Sequence, residues 1–166
     1  LSGKSVTESR LGLMMNGLLK VPMQFIILFI GVMVFVFYQF VQPPIFFNKV
    51  EKQKTEQSVY AAEFKTIENQ YTEVFNEKKQ EIKKLVNAVN AENDAAVLEV
   101  KSSVLALQDE TNRLRDEAKK VIKKASPTAE TNDKDYIFMT YVMDFLPIGM
   151  VGLLFAVMFS AAMSST

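Results

Sequence analysis

The chain of 166 residues has no cysteine and no histidine. Without cysteine there is neither a disulfide framework nor a thiolate metal site. Without histidine it lacks the commonest general base and the commonest metal ligand. Both absences argue against enzymatic chemistry. Glycine and proline are missing from the whole middle stretch, residues 49–126, which removes the strongest local breakers of a helix there. Charge is missing from the two ends. Outside residues 49–134 the chain keeps only Lys4, Glu8, Arg10, Lys20, Asp135 and Asp144 of its 19 basic and 19 acidic side chains. The zero net charge therefore hides a highly charged middle between two apolar flanks. The start at a leucine, without signal-peptide layout, and the stop inside an apolar run suggest a fragment of a larger membrane protein.

The apolar flanks read as membrane spans. Ser5-Val6-Thr7-Glu8 fits a capping box opening a helix. From Leu11 to Val41 the run is broken only by Asn16, Lys20, Gln24 and Gln39. About 20 apolar residues suffice to cross a hydrocarbon core. Pro22 lies within the run and predicts a kink, while Tyr38 and Pro43-Pro44 mark its outer end. Asn16, Lys20 and Gln24 recur every four positions and share one helix face, which suits a protein or water-filled surface better than lipid. Lys20 lies roughly 27 Å of helix below Tyr38, so it can also simply snorkel to the near interface. Lys4 and Arg10 place residues 1–10 on the cytoplasmic side and the charged middle outside.

The last stretch, Pro147 to Thr166, is charge-free and ends in small and hydroxyl residues. Gly152, Ala156, Ser160 and Ser164 form a narrow stripe at a spacing of four, which lets a neighbouring backbone approach closely in a bilayer. Ser164 and Ser165 offer two hydroxyl oxygens near Ala161, a set that suits a hard cation without burying a charge. A packing seam whose serines bond back to the preceding turn explains the same spacing.

The middle is helical by composition. Val97, Val100, Val104, Leu107, Thr111, Leu114, Ala118 and Val121 alternate spacings of three and four, a heptad seam. Tyr60, Phe64, Ile67, Tyr71 and Val74 do the same, with a shift of register before Ile82, Leu85 and Val89. Asn87, Asn90, Glu92, Asn93 and Asp94 mark the turn, with Asn93 or Asp94 as helix cap. An antiparallel coiled-coil hairpin with arms of roughly 40 and 30 residues follows. Phe75, Val86 and Leu105 lie off the seam and form a candidate docking patch; a partner protein, a cell-wall contact and self-association all stay open. Residues Ser126 to Asp133 read as a flexible return linker, and Asp135 to Leu146 as a short interfacial helix.

Two stretches resemble the sodium/solute symporter family. LPxGxxGLLFAxxxxAAMSS, from Leu146, resembles its eighth core helix, and LSGKSVTESRLG with NGLLKVPMQF resembles its cytoplasmic loop and seventh core helix. The resemblance covers roughly residues 1–48 and 135–166. It implies an all-α membrane protein: two transmembrane helices of a leucine-transporter-type inverted-repeat fold, plus the hairpin outside the membrane. It also implies sodium-coupled symport of a small organic solute. Ser164, Ser165 and the Ala161 carbonyl would then bind the sodium ion, and Lys20 would contact solute, as a lysine there does in sugar-transporting members. Met139-Thr140 stands where the family commonly has a proline after Ile-Phe, and the family's connection between these helices is much shorter. The expected organisation is 1–48, loop end and first span; 49–134, hairpin and linker; 135–166, interfacial helix and second span.

Two spans around a helical hairpin is also the layout of membrane chemoreceptors and sensor kinases. Such a receptor has no evident need for a polar-striped, proline-containing first span or for adjacent membrane serines. Transport is therefore the expected function, and sensing the competitor.

Overall fold

The computed structural model describes residues Val6–Ser164, so Ser5, Ser165 and Thr166 lie outside the described residues. The chain forms two compact units, Leu1–Phe40 and Val41–Thr166. All regular structure among the described residues is helical.

The first unit is helix α1, Val6–Phe40, which runs through Pro22 without interruption. Within its stretch Arg10–Phe40 an 18-residue window reaches a mean hydropathy of 2.3, and most of that window is exposed. At 1.5 Å per residue, 31 residues rise about 46 Å, more than the roughly 30 Å of a hydrocarbon core. This is the one helix among the described residues long and apolar enough to cross a membrane.

The second unit begins where Pro43-Pro44 forbid helix, and Ile45, Phe46 and Phe47 turn inward and are buried. Helix α2, Lys49–Glu56, starts at Asn48, whose side chain accepts from the backbone N–H groups of Val50 and Glu51 at 3.1 and 3.3 Å. The expected arm of about 40 residues is not continuous. It breaks at Gln57–Tyr60, and α3 then runs Ala61–Asn90. Ser58 supplies the reason. Its hydroxyl donates to the Thr55 carbonyl at 2.7 Å and accepts from the Tyr60 N–H at 3.1 Å, taking backbone partners that a helix would need.

Helices α3 and α4, Asp94–Ala125, pack antiparallel along their length. Two cross-links fix the register: Lys78 to Gln108 at 2.6 Å and Lys124 to Glu63 at 3.0 Å. Phe64, Ile67, Tyr71, Leu114, Ala118 and Val121 form the core, as the seam predicts, together with Ile45, Phe46, Ile122 and Ala129. The expected change of register before Ile82 has a simple cause. Phe75 and Lys78 both belong to the buried face of α3, so the seam continues as Tyr71, Phe75, Lys78, Ile82, Leu85. A lysine in a seam position hides the periodicity from a hydrophobic reading. Its ammonium is held by the Gln108 amide and lies 6.0 Å from the Phe75 ring centre, and burial pushes its pKa down. Phe75 is 2 % exposed and so leaves the proposed surface patch; Val86 and Leu105 remain exposed.

The turn between the two helices satisfies its own carbonyls. The Glu92 N–H donates to Val89 O at 3.1 Å and the Asn93 N–H to Ala88 O at 3.1 Å, the paired bonds of a Schellman cap. Asn93 then caps α4, its side chain accepting from the Ala96 N–H at 3.1 Å. The cap requires a left-handed residue, and Glu92 fills that place at φ 51°. Helix α5, Tyr136–Phe145, and helix α6, Ile148–Ser164, end the described chain, separated by Leu146-Pro147. The 17 described residues of α6 rise about 26 Å, short of a full crossing.

A left-handed non-glycine residue costs about 1 kcal/mol relative to glycine. Glu92→Gly is therefore expected to stabilise the hairpin by about 0.5–1 kcal/mol, read as a higher midpoint in urea or thermal unfolding followed by circular dichroism. An unchanged or lower midpoint would show that the turn carries no such strain.

Candidate functional site

Lys20 lies in the middle of α1, exposed, with Asn16 and Gln24 one turn away on either side. The polar face expected from the spacing is therefore continuous on one helix. Ala161 is exposed near the end of α6, and Ser164 is the last described residue of that helix, three positions on. Three residues apart on a helix is one face. Ser165 lies outside the described residues, so the hydroxyl pair is represented by the backbone of Ser164 alone. The small-residue stripe is open: a methyl group built on Gly152 would meet no atom within 4 Å. No charged side chain occurs from Pro147 to Ser164. Lys20 and the α6 residues fall in different units. Among the described residues there is no cluster of acidic side chains able to hold a metal ion.

The densest polar constellation lies elsewhere, and the sequence reading passed over it. Asp133, in the stretch taken as a flexible linker, is 1 % exposed. Its Oδ2 accepts from the Phe47 N–H at 3.0 Å and from the Arg115 guanidinium at 2.9 Å, and Lys119 Nζ lies 3.4 Å from Oδ1. Arg115 also stacks over Phe47, its guanidinium carbon 5.2 Å from the ring centre. Lys123 Nζ donates to the Ala129 carbonyl at 3.1 Å, and Ala129 is itself in the core. The linker is pinned, because a buried carboxylate needs paired cations and donors to offset its lost hydration. A lone Asp among Thr, Asn and Lys offers no periodic signal, so composition alone could not single it out.

Two buried polar atoms beside this cluster have no hydrogen-bond partner: Tyr71 Oη and Arg115 Nε. Burial pushes the Tyr71 phenol up to about 12, with Arg115 pulling it down and Asp133 pushing it up. Outside the core, Lys49 Nζ meets both Asp144 oxygens at 2.6 and 2.9 Å, tying α2 to α5 through an exposed pair worth little on its own. Helices α5 and α6 flank a partly open pocket of about 120 Å³ lined by Phe138, Met139, Val142, Leu154, Phe155 and Met158, with no polar lining side chain.

The chemistry on offer divides accordingly. The Asp133 cluster is a structural clamp, since its carboxylate is fully engaged by protein donors. The α6 stripe leaves open space beside Gly152, and the α1 face presents Asn16, Lys20 and Gln24 exposed. No protein-family model matches the chain, and no curated protein or solved structure does.

Removing the buried carboxylate leaves the Phe47 N–H and two half-buried cations without their partner. Asp133→Ala is expected to cost about 3–5 kcal/mol of folding stability, seen as a lower urea midpoint; a loss below about 1 kcal/mol would show that the clamp is ornamental. The Tyr71 phenol gives a pH test. The unfolded chain ionises it near pH 10 while the folded chain keeps its proton to about 12, so this group's contribution is present below pH 10 and lost as pH rises through that window. Tyr71→Phe should flatten that alkaline loss relative to the parent in thermal melts at pH 9 to 11.5.

Proposed function

We propose that the chain belongs to a sodium-coupled symporter that moves a small organic solute across a membrane by alternating access. The observation that carries this reading is the run from Leu146 to Ser165, LPIGMVGLLFAVMFSAAMSS, with its resemblance to the eighth core helix of sodium/solute symporters. The helical, charge-free α6 with its open small-residue stripe supports it, as does the membrane-crossing length of α1. In this reading α1 and α6 are the seventh and eighth core helices of a leucine-transporter-type fold, and α3 and α4 form a coiled-coil insertion outside the membrane.

Sodium binds to the Ser164 and Ser165 hydroxyls and the Ala161 carbonyl, against another core helix. A hydroxyl pair and a carbonyl hold the ion weakly enough to release it, because no carboxylate neutralises its charge. Ion binding favours the outward-open state, and solute bound near the midplane, with Lys20 as one contact, lets the bundle rock inward. The driving force is the sodium gradient plus about 2.3 kcal/mol per charge per 100 mV of membrane potential. The chain's own chemistry is ligation and rearrangement, with no bond made or broken.

Sodium-dependent solute uptake by the whole protein tests the reading. Ser164→Ala and Ser165→Ala are each expected to raise the sodium concentration for half-maximal uptake about tenfold at unchanged surface expression, the cost of one lost ligand oxygen at about 1.4 kcal/mol. Uptake with unaltered sodium dependence in both variants would make the serines packing residues and return the protein to the sensor reading.

A further inference from the structure

The helical pair formed by α3 and α4 has two flanks on either side of its seam, and contacts identify them. On one flank, Thr72 accepts from Gln42 at 2.9 Å, and Arg115 and Lys119 meet Asp133. The chain's own segments before α2 and after α4 cover this flank at the base of the pair. On the other flank, Lys124 pairs with Glu63.

A step of seven residues is nearly two turns and stays on the same flank. From Thr72 such steps reach Lys79 and Val86. From Arg115 they run back through Gln108 to Lys101, and from Lys119 through Asn112 to Leu105 and Leu98. The covered flank therefore continues toward the tip as Lys79, Val86, Leu98, Lys101 and Leu105. There nothing covers it. Leu98 and Leu105 are 69 % and 56 % exposed, and no residue from 79 to 110 is buried. The same steps trace the other flank from Glu63 through Gln70 and Glu77 to Lys84, which pairs with Glu81, and from Lys124 through Glu117 and Glu110, both paired with Arg113, to Ser103 and Ala96. Glu99 and Ala106 lie beside that line. One flank of the upper half is thus bulky and apolar, with Lys79 and Lys101 outnumbering Asp94 at its tip. The opposite flank is small, and its acids Glu77 and Glu99 make no ion pair among the described residues, whereas Lys84 is matched by Glu81.

We propose that the uncovered upper half of the first flank docks onto the opposite flank of a second copy of this chain. Leu98 and Leu105 fill the shallow line of Ala96, Ser103 and Ala106, and Lys79 and Lys101 face Glu77 and Glu99 of the other copy. At the base, the same flank already satisfies its cations with an acidic residue from a covering segment, Asp133 on Arg115 and Lys119. The upper half repeats the demand without an intramolecular answer. A two-fold arrangement would set the basic flanks against each other, so the favoured contact is front to back. Such a contact leaves one free flank at each end and propagates into a row or closes into a ring. This inference does not rest on the transport reading.

The absence of native cysteine makes the test direct. Two differently tagged versions of the whole chain, one Leu105→Cys and one Ser103→Cys, are mixed in phosphatidylcholine vesicles and oxidised. The mixed disulfide is expected to exceed either like-with-like disulfide several-fold. Adding Lys79→Glu and Lys101→Glu to the Leu105→Cys chain should lower it about tenfold, the effect of reversing two exposed ion pairs. Glu77→Lys and Glu99→Lys in the other chain should restore it. Circular dichroism confirms that each variant is helical. Like-with-like disulfides equal to the mixed one, no disulfide at all, or indifference to the charge changes would each overturn the proposal.

Discussion

One buried carboxylate holds the second unit together. Asp133 reaches the backbone of the segment that precedes α2 and the side chains of α4 at the same time. A two-helix pair cannot bury its own seam completely, because each helix offers only one neighbour. At the base, the missing cover comes from Ile45, Phe46 and Ala129. Those residues stay in place because Asp133 fixes both covering segments to the same cation pair. The arrangement also explains why Phe64, Tyr71, Leu114 and Ile122 are fully enclosed while Val89 and Leu98, far from the clamp, are not.

Regular features of this architecture were legible in the sequence because they are periodic. Apolar length gave α1, and the three-four spacing gave the faces of α3 and α4. The cluster of Asn residues located the turn and narrowed the cap to Asn93 or Asp94, of which Asn93 makes the bond. Features that depend on a single side chain were not legible. Ser58 breaks the first arm by capturing two backbone groups, which no window average registers. Lys78 occupies a seam position and so looks like a register change, although its long apolar stem packs where a leucine would. Asp133 is invisible in the same way, since burial is a property of its surroundings. As for the candidate site, the residues sort by element as expected: Lys20 on the polar face of α1, Ala161 and Ser164 together on α6. What joins or separates them is a matter of tertiary placement, which spacing along the chain does not encode.

The two apolar helices and the charged pair follow different rules. For α1 and α6, nearly every large apolar side chain is exposed, so hydrophobicity there carries little positional information. For α3 and α4, ion pairs on the outer faces, such as Arg113 with Glu110 and Glu117, keep the pair soluble without specifying partners. Information about partners resides instead in the difference between the two flanks, where charge sign and side-chain bulk change together.

The hydrogen bond between the Phe47 N–H and Asp133 joins positions 86 residues apart at 3.0 Å. A segment that leaves and returns at one point is topologically a cassette. Its two ends could be joined by a splice no longer than a tight turn. Loop-closure cost is also slight, since it grows only with the logarithm of the enclosed length. Closure thus sets little limit on the length of the distal arms, while the junction at Phe47 and Asp133 anchors their base.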